Sequence, residues 1–327
     1  MISPKDNYLM MLRGEIPEYI PNYYEDRAGR FNEEFLTPQA VPNGPVISSL
    51  GVKYIGSEEV DFGAMPDPSR KVLEDISGWR DFVKLPDLSG FDFESYYKDK
   101  IKNIDRSKKY ITVGGGDYFL TLVSIMGFEN ALIALIDNPE EVKEFLSYVS
   151  DFYIMILKKQ IQYIKPDVLG LMDDDSAYHA SFFSVDIYRE IFKPLHKKHC
   201  DIALENNMLI ERHDCGHCEQ FIPDWIETGV RSWNPAQVTN DLVGIKKKYT
   251  GKLAICGGWD NLRFNADSDR DELRAALKEY VDTFAPGGGF AFNAKVLGPK
   301  NDPKVIDTNN FIKDFYFDYA YDWYKKH

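Results

Sequence analysis

From about residue 110 to the end, short apolar runs alternate with helical patterns, and this alternation constrains the fold more than any other feature. Tyr110-Ile111-Thr112-Val113, ending in Gly114-Gly115-Gly116, reads as a strand. Pro139 opens a long helix through Ile164, with Val142, Phe145, Leu146, Val149, Phe152 and Ile156 at helical spacing. Asp167–Met172 is the next strand, and Ser184 caps a helix running to about Glu205. Further strands begin at Met208-Leu209-Ile210, around Arg231-Ser232-Trp233, at Lys252–Cys256 and at Gly289–Asn293. Helices fall near 221–226, 241–248 and 271–284, and a closing helix carries Phe311, Phe315, Tyr319 and Trp323. Regular strand–helix alternation implies a parallel sheet with crossover helices. The expectation is an α/β fold, a TIM (β/α)8 barrel formed as one domain over 1–327. Residues 1–109 form a partly irregular N-terminal elaboration in which Tyr19–Tyr23 is an early strand; an open doubly wound sheet is the alternative. No GxGxxG or GxxxxGK[ST] stands between a strand and a helix, which counts against nucleotide-binding versions.

Composition excludes several classes. The chain has 39 Lys+Arg against 52 Asp+Glu, a net charge of −13, and no basic run, so neither nucleic acid nor an anionic membrane surface is an expected partner. The N-terminus is polar and no uninterrupted apolar stretch approaches membrane-spanning length, so neither a signal peptide nor a membrane helix is expected. The four cysteines, Cys200, Cys215, Cys218 and Cys256, are read as reduced thiols, and the protein is placed in the cytoplasm.

In a barrel, chemistry sits at the C-terminal ends of the strands. Three such ends are polar here. Asp173-Asp174-Asp175 follows the strand at 167–172. Three adjacent carboxylates are either a solvated loop or a group facing the mouth as metal ligand, base or hydrogen-bond acceptor. In Glu211-Arg212-His213-Asp214-Cys215, strand alternation puts Glu211, His213 and Cys215 on one face, so His213 and Cys215 can chelate one ion. Cys215-x-x-Cys218 is a competing pairing, and a buried Cys215 acting as a small hydrophobe is a third possibility. Cys256 ends another strand. If that strand lies two along from the Cys215 strand, His213, Cys215 and Cys256 supply three ligands and leave a fourth position open, as in catalytic zinc sites. A buried thiol is the alternative there too. Asn293 and Lys295 end the last strand and are placed to contact substrate or to satisfy the following loop. Trp233 and Trp259 either wall a pocket or pack the core.

Several segments together resemble the uroporphyrinogen decarboxylase superfamily: Ser184–Pro194, His213-Asp214-Cys215-Gly216, Ile222–Val230, Trp233–Gln237 and Ala285–Gly289, with Asp26–Arg30 and Pro86-Asp87 as earlier landmarks. The resemblance implies a TIM barrel and one of two activities, cofactor-free decarboxylation of uroporphyrinogen or zinc- and cobalamin-dependent methyl transfer. The decarboxylase branch carries a Phe-Ser-Asp segment and a His near the last strand, where this chain has Tyr54-Ile55-Gly56-Ser57 and Phe290-Ala291-Phe292-Asn293. The His-x-Cys of the coenzyme M-loading branch matches His213 and Cys215, whereas its third ligand, a Cys near the last strand, has no counterpart. The resemblance therefore implies an O-demethylase methyltransferase component that moves a methyl group from a methoxylated aromatic to the Co(I) corrinoid of a partner protein. Its metal ligands would be His213, Cys215 and Cys256, with Asp174, Asp175 and Asn293 as catalytic residues. Cys215 and Cys256 with a carboxylate are a second possible ligand set. A decarboxylase-like lyase and methyl transfer to coenzyme M or another thiol are the alternatives. No Asp-x-His-x-x-Gly corrinoid motif is present, so the cobalamin is expected on the partner. A homodimer is a further possibility.

Overall fold

The computed structural model describes residues 2–31, 35–57 and 63–327. Among the described residues ten strands form two sheets: β1 (Arg27–Phe31), β2 (Val46–Ile47), β3 (Lys53–Ile55), β4 (Met65–Pro66), β5 (Tyr110–Gly115), β6 (Val168–Met172), β7 (Leu209–His213), β8 (Ser232–Ala236), β9 (Ala254–Gly257) and β10 (Phe290–Ala291). The large sheet is wholly parallel, in the order β1-β5-β6-β7-β8-β9-β10. Within this sheet, strands that follow one another in the chain lie side by side, as helical crossovers on one face favour. The sheet is curled, and its two edges are brought together by one stretch of chain. Asn22 bridges Phe292 in parallel fashion, Tyr23 N donates to Phe292 O at 3.0 Å and Phe292 N to Pro21 O at 2.8 Å, while β1 begins five residues further on.

Three sequence expectations change here. Among the described residues the parallel sheet has seven strands rather than eight, and Tyr19–Tyr23 contributes a bridge instead of a strand. Pro21 has no N–H to donate, which limits ladder pairing there. The elaboration before residue 110 holds more regular structure than expected: β1 itself, the antiparallel sheet β2-β3-β4, and helices Pro4–Leu12 and Phe93–Ile101.

Elsewhere local chemistry explains the elements. Ser3 caps the first helix by accepting from Asp6 N, with Pro4 at its first turn. The helix Pro139–Ile164 presents Val142, Phe145, Leu146, Val149, Phe152 and Ile156 to the core. Burying each such side chain contributes roughly 1.5–3 kcal/mol, which is why so long a helix needs no side-chain cap. Strand alternation sorts the large sheet into two faces. Trp233 and Ile255 belong to the outer core beneath the helices. Tyr110, Val168, Ala254, Cys256 and Ala291 point to the inside of the curl, where Tyr8, Leu9, Met11 and Leu12 of the first helix plug one end. The other end, where the strands finish, stays open to chemistry. No single helix among the described residues is long and apolar enough to cross a membrane. The bent pair Tyr118–Met126 and Phe128–Asp137, at 112°, passes that test only jointly.

Candidate metal centre

The same alternation that sorts the core sorts the acidic and basic residues beyond the strand ends. Met172 is in register with His213 on the neighbouring strand, and Asp173 N donates to His213 O at 3.2 Å. From there the two chains run on together. Asp174, His213 and Cys215 turn inward to the mouth; Asp173, Asp175, Arg212 and Asp214 turn outward under the helices.

The inward three converge. Their nearest donor atoms all lie within 4.8 Å of one another. Cys215 Sγ is 4.0 Å from His213 Nε2, which is 4.0 Å from Asp174 Oδ1. Cys215 N donates to the same Asp174 oxygen at 2.9 Å. Gly216 makes this approach possible: at φ +87° a Cβ would stand 2.5 Å from Ala177 O and 2.6 Å from Ser176 O. Only glycine lets the Cys215 loop press against the acidic loop.

Beneath the trio, a chain of hydrogen bonds orients the imidazole. Arg27 Nη1 donates to Tyr23 Oη at 2.7 Å, Tyr23 Oη donates to Asn234 Oδ1 at 3.0 Å, and His213 Nδ1 lies 3.2 Å from that same amide oxygen. A carbonyl oxygen can only accept, so Nδ1 carries the proton and Nε2 faces Cys215 and Asp174. Metal-binding histidines are commonly held this way. Burial and the negative charges of Asp174 and Asp214 push the Cys215 thiol up. The neighbouring carboxylate opposes ionisation of the Cys215 thiol, and a cation between them would favour the thiolate.

The outward residues are held by backbone amides and by one buried guanidinium. Asp173 accepts from Phe119 N at 2.9 Å and Leu120 N at 3.0 Å, in the first turn of the helix Tyr118–Met126. Arg212 Nη2 reaches Asp175 Oδ2 at 2.6 Å and Asp214 Oδ2 at 2.7 Å, and all three side chains are fully buried. Burial, opposed by Arg212, raises the Asp173 and Asp214 carboxyls to about 6.

The expected site residues therefore separate. Asp174, His213 and Cys215 meet at the mouth, whereas Asp175 is enclosed in the Arg212 cluster beneath the helices. Cys256 lies outside the three-donor group. It is fully buried on the inside of the curl, and Asn293 Nδ2 donates to its carbonyl at 3.2 Å and approaches its sulfur at 3.5 Å. Asn293 is thus engaged with Cys256, its own N–H bonded to Tyr280 Oη. Cys218 turns away from Cys215: its sulfur faces Asp214 Oδ1 at 3.3 Å and Cys215 O at 3.0 Å. Trp233 and Trp259 are both buried; their indole N–H groups bond Asp214 O and Lys295 O, which makes them packing residues. Sequence reasoning gave no role to Tyr23, Asn234 or Arg212. The detectable signal was Asn234, which stands on the same face of β8 as His213 on β7 and in register with it.

The profile of the uroporphyrinogen decarboxylase (URO-D) family matches residues 92–296, more than half of the chain. The chain belongs to this family. The matched region begins before β5 and ends beyond Asn293, so it contains both strand ends of the three-donor group. A solved structure, a methyltransferase from Methanosarcina mazei, is similar to this chain with a TM-score of 0.69 at 12% identity. The likeness covers 97% of this chain and 100% of that one, and it is a likeness of fold. No curated protein matches the sequence.

Proposed function

We propose that this URO-D family member is a zinc-dependent methyltransferase that moves a methyl group from a methoxylated aromatic to the Co(I) corrinoid of a partner protein. The observation that carries this proposal is the convergence of Asp174, His213 and Cys215 at the strand ends, with the His213 tautomer held by Asn234. One carboxylate, one imidazole and one thiolate are a three-ligand set of the kind that leaves a catalytic zinc one open position. The methyltransferase name of the Methanosarcina mazei structure is consistent with it.

In this scheme Asp174, His213 and Cys215 would hold the ion. Bound zinc supplies a Lewis acid that polarises the ether oxygen of the substrate. The chain's own residues do the rest. Asn234, Tyr23 and Arg27 keep His213 in the tautomer that presents Nε2. The Asp174 carboxylate accepts the Cys215 backbone N–H, which holds the two loops in register. The donors lie at a strand-end mouth, where a second protein can bring its corrinoid to the methyl carbon. The Co(I) corrinoid of the partner would supply the electron-pair donor that takes the methyl group, and the bond given up would be the methyl carbon–oxygen bond. The electron pair leaves with the phenolate, which takes its proton from solvent.

The test is metal analysis joined to methyl transfer. Purified protein is expected to hold about one zinc per chain, lost in Cys215→Ala and His213→Ala. It is expected to methylate Co(I) cobalamin from a methoxyarene in a chelator-sensitive way. Activity that survives complete zinc removal would refute the proposal and favour a metal-free lyase.

A further inference from the structure

His213 is the last residue of β7, whereas Cys215 lies on the loop beyond it. A donor on a loop is only as well placed as the backbone that carries it, because loops move more than the strands they leave. The backbone around Cys215 is held from two sides. On the β6 side, Cys215 N donates to Asp174 Oδ1 at 2.9 Å and His217 N to Ala177 O at 2.9 Å. On the β8 side, two amide side chains clasp the residues that follow Cys215. Gly216 N donates to Gln237 Oε1 at 2.8 Å, and Gly216 O accepts from Asn240 Nδ2 at 2.9 Å. Asn240 Oδ1 in turn accepts from Cys218 N at 2.9 Å and from Glu219 N at 3.1 Å.

Asn240 is buried, and its surroundings fix the orientation of its amide. Two N–H groups lie on one side and the Gly216 and Gln237 carbonyls on the other, so a flipped amide would set donor against donor and acceptor against acceptor. A carboxylate at this position would meet the N–H groups but oppose the carbonyls; a leucine would satisfy neither. Gly216, at φ +87°, turns the chain sharply after Cys215, and both of its backbone polar groups end on these two side chains. None of these bonds involves His213, whose Nδ1 is supported by Asn234 within β8. The two donors of β7 and its loop are thus supported by different side chains.

We propose that Gln237 and Asn240 are positioning residues that hold the Cys215 sulfur at the metal, independently of the support Asn234 gives to His213. This role rests on the proposed metal centre for its ion, but one readout needs no metal. Full-length Asn240→Leu is expected to bind cobalt(II) about tenfold more weakly than the parent or worse. At saturating cobalt its sulfur-to-metal charge-transfer band should lose roughly half its intensity or more. Gln237→Met removes a single hydrogen bond and should weaken cobalt about threefold, with a smaller loss of the band; it serves if Asn240→Leu does not fold. In the metal-free proteins, Cys215 alkylation by N-ethylmaleimide, followed by peptide mass, should run roughly fivefold faster in Asn240→Leu and roughly twofold faster in Gln237→Met, with the circular dichroism of the parent. Unchanged cobalt affinity in the folded variants overturns the proposal. So does weaker binding with the charge-transfer band intact, which would make the clasp a support of the fold alone, and so does an unchanged alkylation rate. A parent that binds neither zinc nor cobalt would remove the metal centre; the alkylation rates alone would then decide whether the clasp orders Cys215.

Discussion

Replacing Asn234 by Leu tests the orientation of the metal site most directly. Asn234 Oδ1 is the shared acceptor for His213 Nδ1 at 3.2 Å and Tyr23 Oη at 3.0 Å, and Asn234 is buried. Leucine is similar in volume but has no acceptor, so Tyr23 Oη and His213 Nδ1 each lose this hydrogen bond. Each such loss costs about 1–3 kcal/mol, or roughly 2–6 kcal/mol together. For a chain of 327 residues the unfolding entropy is about 0.7 kcal/mol per degree, so Tm should fall by about 3–9 °C. The functional effect is separate. Without Asn234 the imidazole can rotate or take the other tautomer, and zinc affinity should fall about 10–100-fold, equivalent to roughly 1.4–2.7 kcal/mol. Competition against a chromophoric chelator measures this. Cobalt(II) substitution should retain sulfur-to-metal charge transfer, since Cys215 is untouched. Asn234→Asp keeps an acceptor oxygen and should restore much of the affinity. A folded Asn234→Leu protein that holds zinc as tightly as the parent would refute the role assigned to Asn234.

Three other outcomes are expected. Cys256→Ala should leave zinc stoichiometry unchanged by metal analysis, because the Cys256 sulfur belongs to the Asn293 contact and not to the three-donor group. Arg212→Met removes the only cation bonded to Asp175 and Asp214 among the described side chains; breaking such a buried network costs about 3–5 kcal/mol, a Tm fall of about 4–7 °C, and adding Asp175→Asn and Asp214→Asn should recover most of it. Burial raises the Asp26 carboxyl to about 7. Its stabilising contribution as a protonated group is therefore complete below the unfolded value of about 4 and is lost as pH rises through 7. The Tm of the parent minus that of Asp26→Asn should fall steadily from pH 4.5 to 7.5, and a flat difference would remove Asp26 from the account.

The order of the strands and helices after residue 110 was legible in the sequence because it depends on local periodicity. The helix Pro139–Ile164 and the Ser184 cap lie where spacing and capping chemistry put them. Alternation also assigned His213 and Cys215 to one face, since side chains on a strand change sides at every residue. By the same rule the middle member of Asp173-Asp174-Asp175 must oppose its neighbours, although it does not say which side is the mouth. That choice came from tertiary packing: the Phe119 and Leu120 amides claim Asp173, Arg212 claims Asp175, and Asp174 is left facing inward.

The third donor was beyond the sequence for a related reason. Cys256 lies within β9 and Asp174 just beyond β6, and both carry suitable chemistry. β9 is separated from β7 by β8, whereas β6 lies directly against β7 with Met172 opposite His213. Local periodicity tells each strand which side chains turn inward; only the order and stagger of neighbouring strands decide which of those side chains meet.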